Sequence, residues 1–245
     1  MEANLTLLEL TFFLIALLYS MTGHGGGSGY IAIMALLGMA PQEIKPMALG
    51  MNIIVSSVAT IQFYRAGHFK QSLFLPFISG SVPLAMLGGY LQLPTRWFNL
   101  LMGLALIFAA LRIAVRRPAN WLPAITPNFG MAMFAGAAIG LFSGLIGVGG
   151  GIFLTPLLLL LGWANPKQAA AVSAPFILLN SLSGLAGFSA HTAQVLPSGL
   201  IWLALPVLLG GLLGSHLGSR SLPMKAIARV LSTVLLIGGF KLLYV

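Results

Sequence analysis

The stretch TGHGGGSGYIAI, Thr22 to Ile33, sets one histidine and five glycines in the middle of an apolar run from Leu5 to Met39. A backbone that stops being helical inside lipid exposes N–H and C=O groups at several kcal/mol each, so it persists only where protein or a water-filled cavity covers it. The same interruption recurs at GVGGG, Gly147 to Gly151, inside the apolar run from Asn128 to Trp163. Two such breaks in one chain ask for a common purpose.

The surroundings of the breaks are those of a polytopic membrane protein. Of 245 residues, 58% are hydrophobic and 6% charged, against about 25% charged in a soluble domain. Unbroken runs near the roughly 20 residues that cross a bilayer cover 47–64, 73–93, 97–115, 169–190, 200–217 and 227–244. The leading end, MEANLTLLEL, carries Glu2 and Glu9 where a signal peptide needs basic residues, and no small-residue cleavage site follows, so the first run is expected to be retained. A net charge of +9 could suggest nucleic acid, yet the twelve Lys and Arg residues are scattered over short loops. Membrane lipid and topology account for them, and no nucleic-acid partner is expected. The lack of cysteine excludes disulfides and thiolate chemistry.

The polar connection RRPANWLPAITPN, Arg116 to Asn128, divides the chain into two halves. A shift of 124 residues places Gly23, Gly25, Gly26 and Gly27 on Gly147, Gly149, Gly150 and Gly151, and it matches Leu36, Leu37, Gly38, Ala40, Ile53 and Ser57 to identical partners. The pattern indicates duplication. Charge then distinguishes parallel from inverted halves. With all eight segments crossing, the cations split six against six. With both broken segments returning to the side they entered, one face collects Arg65, Lys70, Arg112, Arg116, Arg117, Lys167, Arg220, Lys225 and Arg229, leaving Lys45, Arg96 and Lys241 opposite. That asymmetry is the one expected of a cytoplasmic face. The expected fold is an all-α inverted repeat in a cell membrane, both termini outside. Its first repeat, 1–115, has a re-entrant hairpin at 5–39 and helices at 47–64, 73–93 and 97–115. A cytoplasmic linker, 116–127, leads to the second, 128–245, with a hairpin at 128–163 and helices at 169–190, 200–217 and 227–244.

A helix restarting after each break, near Ser28 and near Ile152, points free N–H groups and about half a positive charge at whatever lies ahead. Inverted halves aim two such ends at one central volume, a site for a small anion made without lysine or arginine. Candidate residues are Gly23, His24, Gly25, Gly26 and Gly27 from the first break and Gly147, Gly149, Gly150 and Gly151 from the second. The competing account is helix packing through four-residue glycine spacing, which we accept for Gly140 with Gly144 and for Gly210 with Gly214. Asn52 and Ser56 share one helical stripe, as do Ser173 and Asn180, with Asn180 the counterpart of Ser56. These four either flank the anion with polar donors or bridge helices. His24 is the titratable group inside a break; it serves as a structural hydrogen bonder or as a coupling or substrate contact.

GHGGG together with GLIGVGGGIFLTP, Gly144 to Pro156, and the small-residue segment AAAVSAPFILLNSLSG, Ala169 to Gly184, resembles the duplicated glycine signature of the TauE/SafE family, the sulfite exporter or toluenesulfonate uptake group. The likeness spans the chain. It implies a permease moving small anions, often sulfur-containing, such as sulfite or organosulfonates, between inverted halves. The matching positions are the eight break glycines. His24 departs from that pattern, where a small or aliphatic residue is usual, and so does Ala32, opposite Pro156 in the other half.

Other classes fit less well. No HExxH, GxSxG, GxGxxG or P-loop motif occurs, and three acids near segment ends cannot supply paired carboxylates, so neither enzyme nor cofactor is expected. A cation or metal permease would want midplane carboxylates, histidine pairs or thiolates. A non-transporting assembly protein gives the glycine clusters no task. The sequence leaves open a coupling proton or ion, and a homo-oligomer.

Overall fold

The computed structural model describes residues 2–91, 93–114, 127–192 and 199–220, together with 236, 239–240 and 243–244. Among them run nine helices: α1 Glu2–Ser20, α2 Gly27–Leu36, α3 Pro41–Arg65, α4 Gln71–Tyr90, α5 Thr95–Ala114, α6 Phe129–Ile146, α7 Gly151–Leu160, α8 Pro166–Thr192 and α9 Gly199–Arg220. Five of them, α3, α4, α6, α8 and α9, are long and apolar enough to cross a membrane. The linker expected at 116–127 and the helix expected at 227–244 lie almost wholly outside the described residues.

Burial shows which helices form the centre. The apolar windows of α3 and α8 are 67% and 61% buried, against 39% for α4, 39% for α6 and 33% for α9. These two central helices cross antiparallel. Leu49, early in α3, faces Gly184, late in α8, while Ala59 and Phe63, late in α3, share a cluster with Ala170, Ala171 and Ala174, early in α8. Asn52 and Ile177, near their midpoints, approach the same glycines.

Two glycine seams hold the outer helices. Gly136, Gly140 and Gly144 of α6 lie against the Phe77, Ser81 and Ala85 carbonyls of α4, so closely that any Cβ would collide with backbone. On the other flank Gly210 and Gly214 of α9 meet the Phe13 and Leu17 carbonyls of α1, and Gly218 meets that of Met21 just beyond its end. Contacts advance in step along both seams, so each pair runs parallel, and the glycines let backbones approach where lipid offers no hydrophobic gain for association.

α2 and α7 are ten residues each, about 15 Å of helix and half a bilayer core. The chain doubles back before each one. Ser28 bonds Tyr19, a Cβ on Gly29 would press on Ile15 and Tyr19, and the Tyr30 ring stacks on Phe12 with centroids 5.4 Å apart. The first turn of α2 therefore packs on the last two turns of α1. In the second half Gly150 lies against Ile139 and Ser143 of α6. The limbs are unequal, because α1 and α6 have 19 and 18 residues. Their tips run past the bundle's middle: Gly23 reaches the Ala170 backbone near the start of α8, and Gly147 reaches Lys45 near the start of α3.

Candidate functional site

Both breaks return from those tips to the same place. Gly25 and Gly27 of the first and Gly149 of the second surround the side chain of Asn52, which is fully buried. Its amide nitrogen donates to the Val148 carbonyl at 3.0 Å, tying α3 to the second break. A Cβ on Gly25 would stand 2.5 Å from Asn52 Oδ1, one on Gly27 2.5 Å from Nδ2, and one on Gly149 2.8 Å from Nδ2. Glycine is required here because the amide occupies the space that a side chain would take.

From this junction α2 and α7 depart, and the structure leaves their starting ends uncapped. The N-cap residues Gly26 and Gly150 sit in the left-handed region at φ 95° and 81°, with no side-chain cap bond and no acidic residue in either first turn. At the outer start of α6, by contrast, the Asn128 side chain accepts from Gly130 N. Helix geometry gives the amides of Gly27, Ser28, Gly151 and Ile152 no intrahelical acceptor. All four residues line one pocket, with Tyr19, His24, Gly25, Gly26, Val148 and Ile177 completing its wall. Two fractional positive charges thus converge on one volume. That cavity measures about 10 Å³, the room one water needs, so a larger guest requires the walls to part.

Each sequence candidate now has a location. His24, Gly25, Gly26, Gly27 and Gly151 line the pocket. Gly149 and Gly150 are not among its lining residues and lie against Asn52 and Ser181 and against Phe176 respectively, while Gly23 and Gly147 form the tips. Asn52 braces the junction without entering the pocket wall. Ser56 donates to the Asn52 carbonyl at 2.5 Å within its own helix. Ser173 bonds Thr155 at 2.8 Å, joining α8 to α7, and Asn180 donates to the Phe176 carbonyl while accepting from Ser81 of α4. Ser173 and Asn180 thus bond across helix contacts, and Ser56 bonds within α3. Ser28 and Ile152 stand where the sequence places the helix restarts, whereas Tyr19, Val148 and Ile177 were not singled out from sequence, although Val148 lies inside the second break and Ile177 is the repeat partner of Ile53.

Lys45 also differs from its sequence reading as a loop cation. α3 begins at Pro41, with proline at its start and Glu43 in its first turn, and this carries Lys45 into the bundle at 5% exposure. Its Nζ donates to the carbonyls of Gly88, Gly89 and Leu91 at 3.1, 2.9 and 3.3 Å and lies 5.7 Å from the Phe188 ring centroid. A cation at a helix C-terminus satisfies carbonyls that the helix leaves open and complements its dipole.

Apolar crossing helices around two interrupted segments with uncapped starts are the construction of a multi-pass membrane transporter. The comparisons with known proteins place it more closely. The chain belongs to the TauE/SafE family: the family model described as "Sulfite exporter TauE/SafE" matches residues 8–242. It is 39% identical over 241 residues to "Probable membrane transporter protein y4hK" of Sinorhizobium fredii, covering 97% of each chain. It is 26% identical to "Probable membrane transporter protein YunE" of Bacillus subtilis, covering 92% of each. A third relative, "Probable membrane transporter protein MJ0441" of Methanocaldococcus jannaschii, is also 26% identical, with 98% of this chain and 95% of the relative covered. No solved structure matches.

Proposed function

We propose that the chain is a secondary permease for a small anion, sulfur-containing such as sulfite or an organosulfonate, bound at the bilayer's midplane and moved by alternating access. The observation that carries this reading is the convergence of the amides of Gly27, Ser28, Gly151 and Ile152 on one pocket with no acidic residue in either first turn. The sulfur chemistry rests on the family's description.

Inverted halves complete the proposal. Under the 124-residue shift α3 and α8 are counterparts, and counterparts that cross antiparallel are related by an axis lying in the membrane plane. The seams support the same relation, since α1 on α9 and α6 on α4 exchange the roles of the halves. With Lys45 spent on α4, the face opposite the nine cations retains Arg96 and Lys241, which sharpens the orientation. A tag in the loop at Gly67 is expected inside and one at the tail, Val245, outside; accessibility labelling in intact cells reads both, and a shared side would refute the hairpin topology.

Counterflow of labelled sulfite, sulfate, thiosulfate and methanesulfonate into reconstituted vesicles tests the function. The native chain is expected to exchange at least one of these. Gly150→Leu, whose Cβ would stand 2.9 Å from the Phe176 ring, is expected to exchange none. Flux of cations alone would support a cation permease, and absence of any flux an assembly protein.

A further inference from the structure

Within that anion reading, on which this step rests, we propose that Tyr19 is the side chain that binds the anion: Ser28 donates to the Tyr19 hydroxyl, and that hydroxyl donates to an oxygen of the guest. The first observation is a hydrogen left over. Ser28 Oγ lies 3.0 Å from the Tyr19 hydroxyl and donates to it. Each hydroxyl carries one hydrogen, and the bond between them uses only one. Among the described residues neither side chain makes another hydrogen bond. Tyr19 is 5% and Ser28 2% exposed, so bulk water does not take the spare hydrogen, and a buried donor without an acceptor is unfavourable.

The second observation is where the pair stands. Tyr19 and Ser28 both line the pocket on which the amides of α2 and α7 converge. Gly29 makes this placement possible: a Cβ there would stand 3.0 Å from Tyr19 Cε2 and 3.5 Å from Cζ, so its absence lets the ring lie on the first turn of α2 with its hydroxyl beside Ser28. The bond from Ser28 polarises the Tyr19 O–H, which strengthens it toward a charged acceptor. In the closed pocket, with room for one water, that water takes the hydrogen until an anion displaces it.

The two halves differ here. Under the 124-residue shift the counterparts of Tyr19 and Ser28 are Ser143 and Ile152. Ile152 lines the pocket and Ser143 does not, and the second half's lining side chains, Val148, Ile152 and Ile177, carry no hydrogen-bonding group. Amides therefore come from both breaks, whereas the tyrosine hydroxyl comes from the first half alone and draws the guest's oxygen toward α1 and α2. Tyr30 supplies a contrast in the same neighbourhood. It is fully buried, its hydroxyl has no hydrogen-bond partner, and that hydroxyl would stand 2.9 Å from a Cβ on Gly26. Tyr30 nevertheless lies behind Gly26 and is not among the lining residues.

Isothermal titration of the purified full-length protein with methanesulfonate tests this. Tyr19→Phe keeps the ring and removes the O–H, so its dissociation constant should rise about tenfold or more, as expected when a hydrogen bond to a charged group is lost. Its unfolding midpoint without anion should stay close to that of the native chain. Ser28→Ala leaves the Tyr19 hydrogen in place and should lose less. Adding it to Tyr19→Phe should cost little further, because Ser28 acts through the phenol. Tyr30→Phe, the same exchange outside the pocket wall, should bind as the native chain does. Native affinity in Tyr19→Phe, or an equal loss in Tyr30→Phe, overturns the proposal and leaves the anion site standing. Additive losses in the double variant overturn the relay from Ser28, since that hydroxyl would then meet the anion by itself. Failure of the native chain to bind methanesulfonate, sulfite or thiosulfate overturns the anion reading as well.

Discussion

Gly149→Ala is expected to lower anion counterflow by about two orders of magnitude while the protein remains folded and monodisperse in detergent. The residue sits at φ +82°, where a Cβ would stand 2.8 Å from Asn52 Nδ2 and 2.9 Å from Ser181 Oγ. A left-handed alanine costs roughly 1–2 kcal/mol, too little to unfold a bundle that buries three core clusters. The methyl group must also displace the Asn52 amide, and with it the bond to Val148 that fixes the second break. The start of α7 then moves, and its amides no longer converge with those of α2. Gly162→Ala provides the matched control: it has φ +66° and nothing within 4 Å of its Cβ, so it bears the backbone strain without the collision. Equal losses of flux in the two variants would show that strain alone is responsible and that the junction at Asn52 is not part of the site.

Lys45→Met should have the largest effect on stability. Methionine keeps the length of the side chain and fills the space, yet leaves the carbonyls of Gly88, Gly89 and Leu91 without their cationic donor. Hydrogen bonds from a charged group contribute about 1.5–3 kcal/mol each, and breaking a buried set typically costs 3–5. A drop of about 3 kcal/mol is expected, measured as a lowered unfolding midpoint by intrinsic fluorescence in detergent. Arg96→Met, at an exposed position, should change stability by less than about 0.5 kcal/mol. An unchanged midpoint in Lys45→Met would mean that water at the bundle end satisfies those carbonyls.

Much of the centre was legible because of a single large cost. Non-helical backbone in lipid is so unfavourable that five glycines inside an apolar run had to mark covered ground, and the breaks at Gly23 to Gly27 and Gly147 to Gly151 follow from that alone. Which polar residues would stand beside them was less legible. Helical spacing puts Asn52 and Ser56 on one stripe and Ser173 and Asn180 on another, but spacing describes one helix at a time. The crossing of α3 with α8 brings Asn52 to the junction, whereas α7 and α4 engage Ser173 and Asn180. Lys45 was misplaced for a related reason. Hydropathy starts the third helix at Met47, since Pro41, Gln42 and Glu43 are a polar or helix-starting lead, and helix-start chemistry extends it to Pro41. Tyr19 gave no signal at all, because a tyrosine ending an apolar run is commonplace; its relation to Ser28 exists only once the chain has doubled back.

Main-chain amides at the ends of α2 and α7 have an evolutionary consequence. Donors of this kind cannot be deleted by exchanging a side chain, whereas the bulk of the wall at Tyr19, Ile152 and Ile177 is set by side chains that an exchange can alter. In the proposed anion permease, cargo preference would then drift through the girth of the pocket, letting one scaffold serve differently shaped solutes without rebuilding the donors proposed to grip their charge.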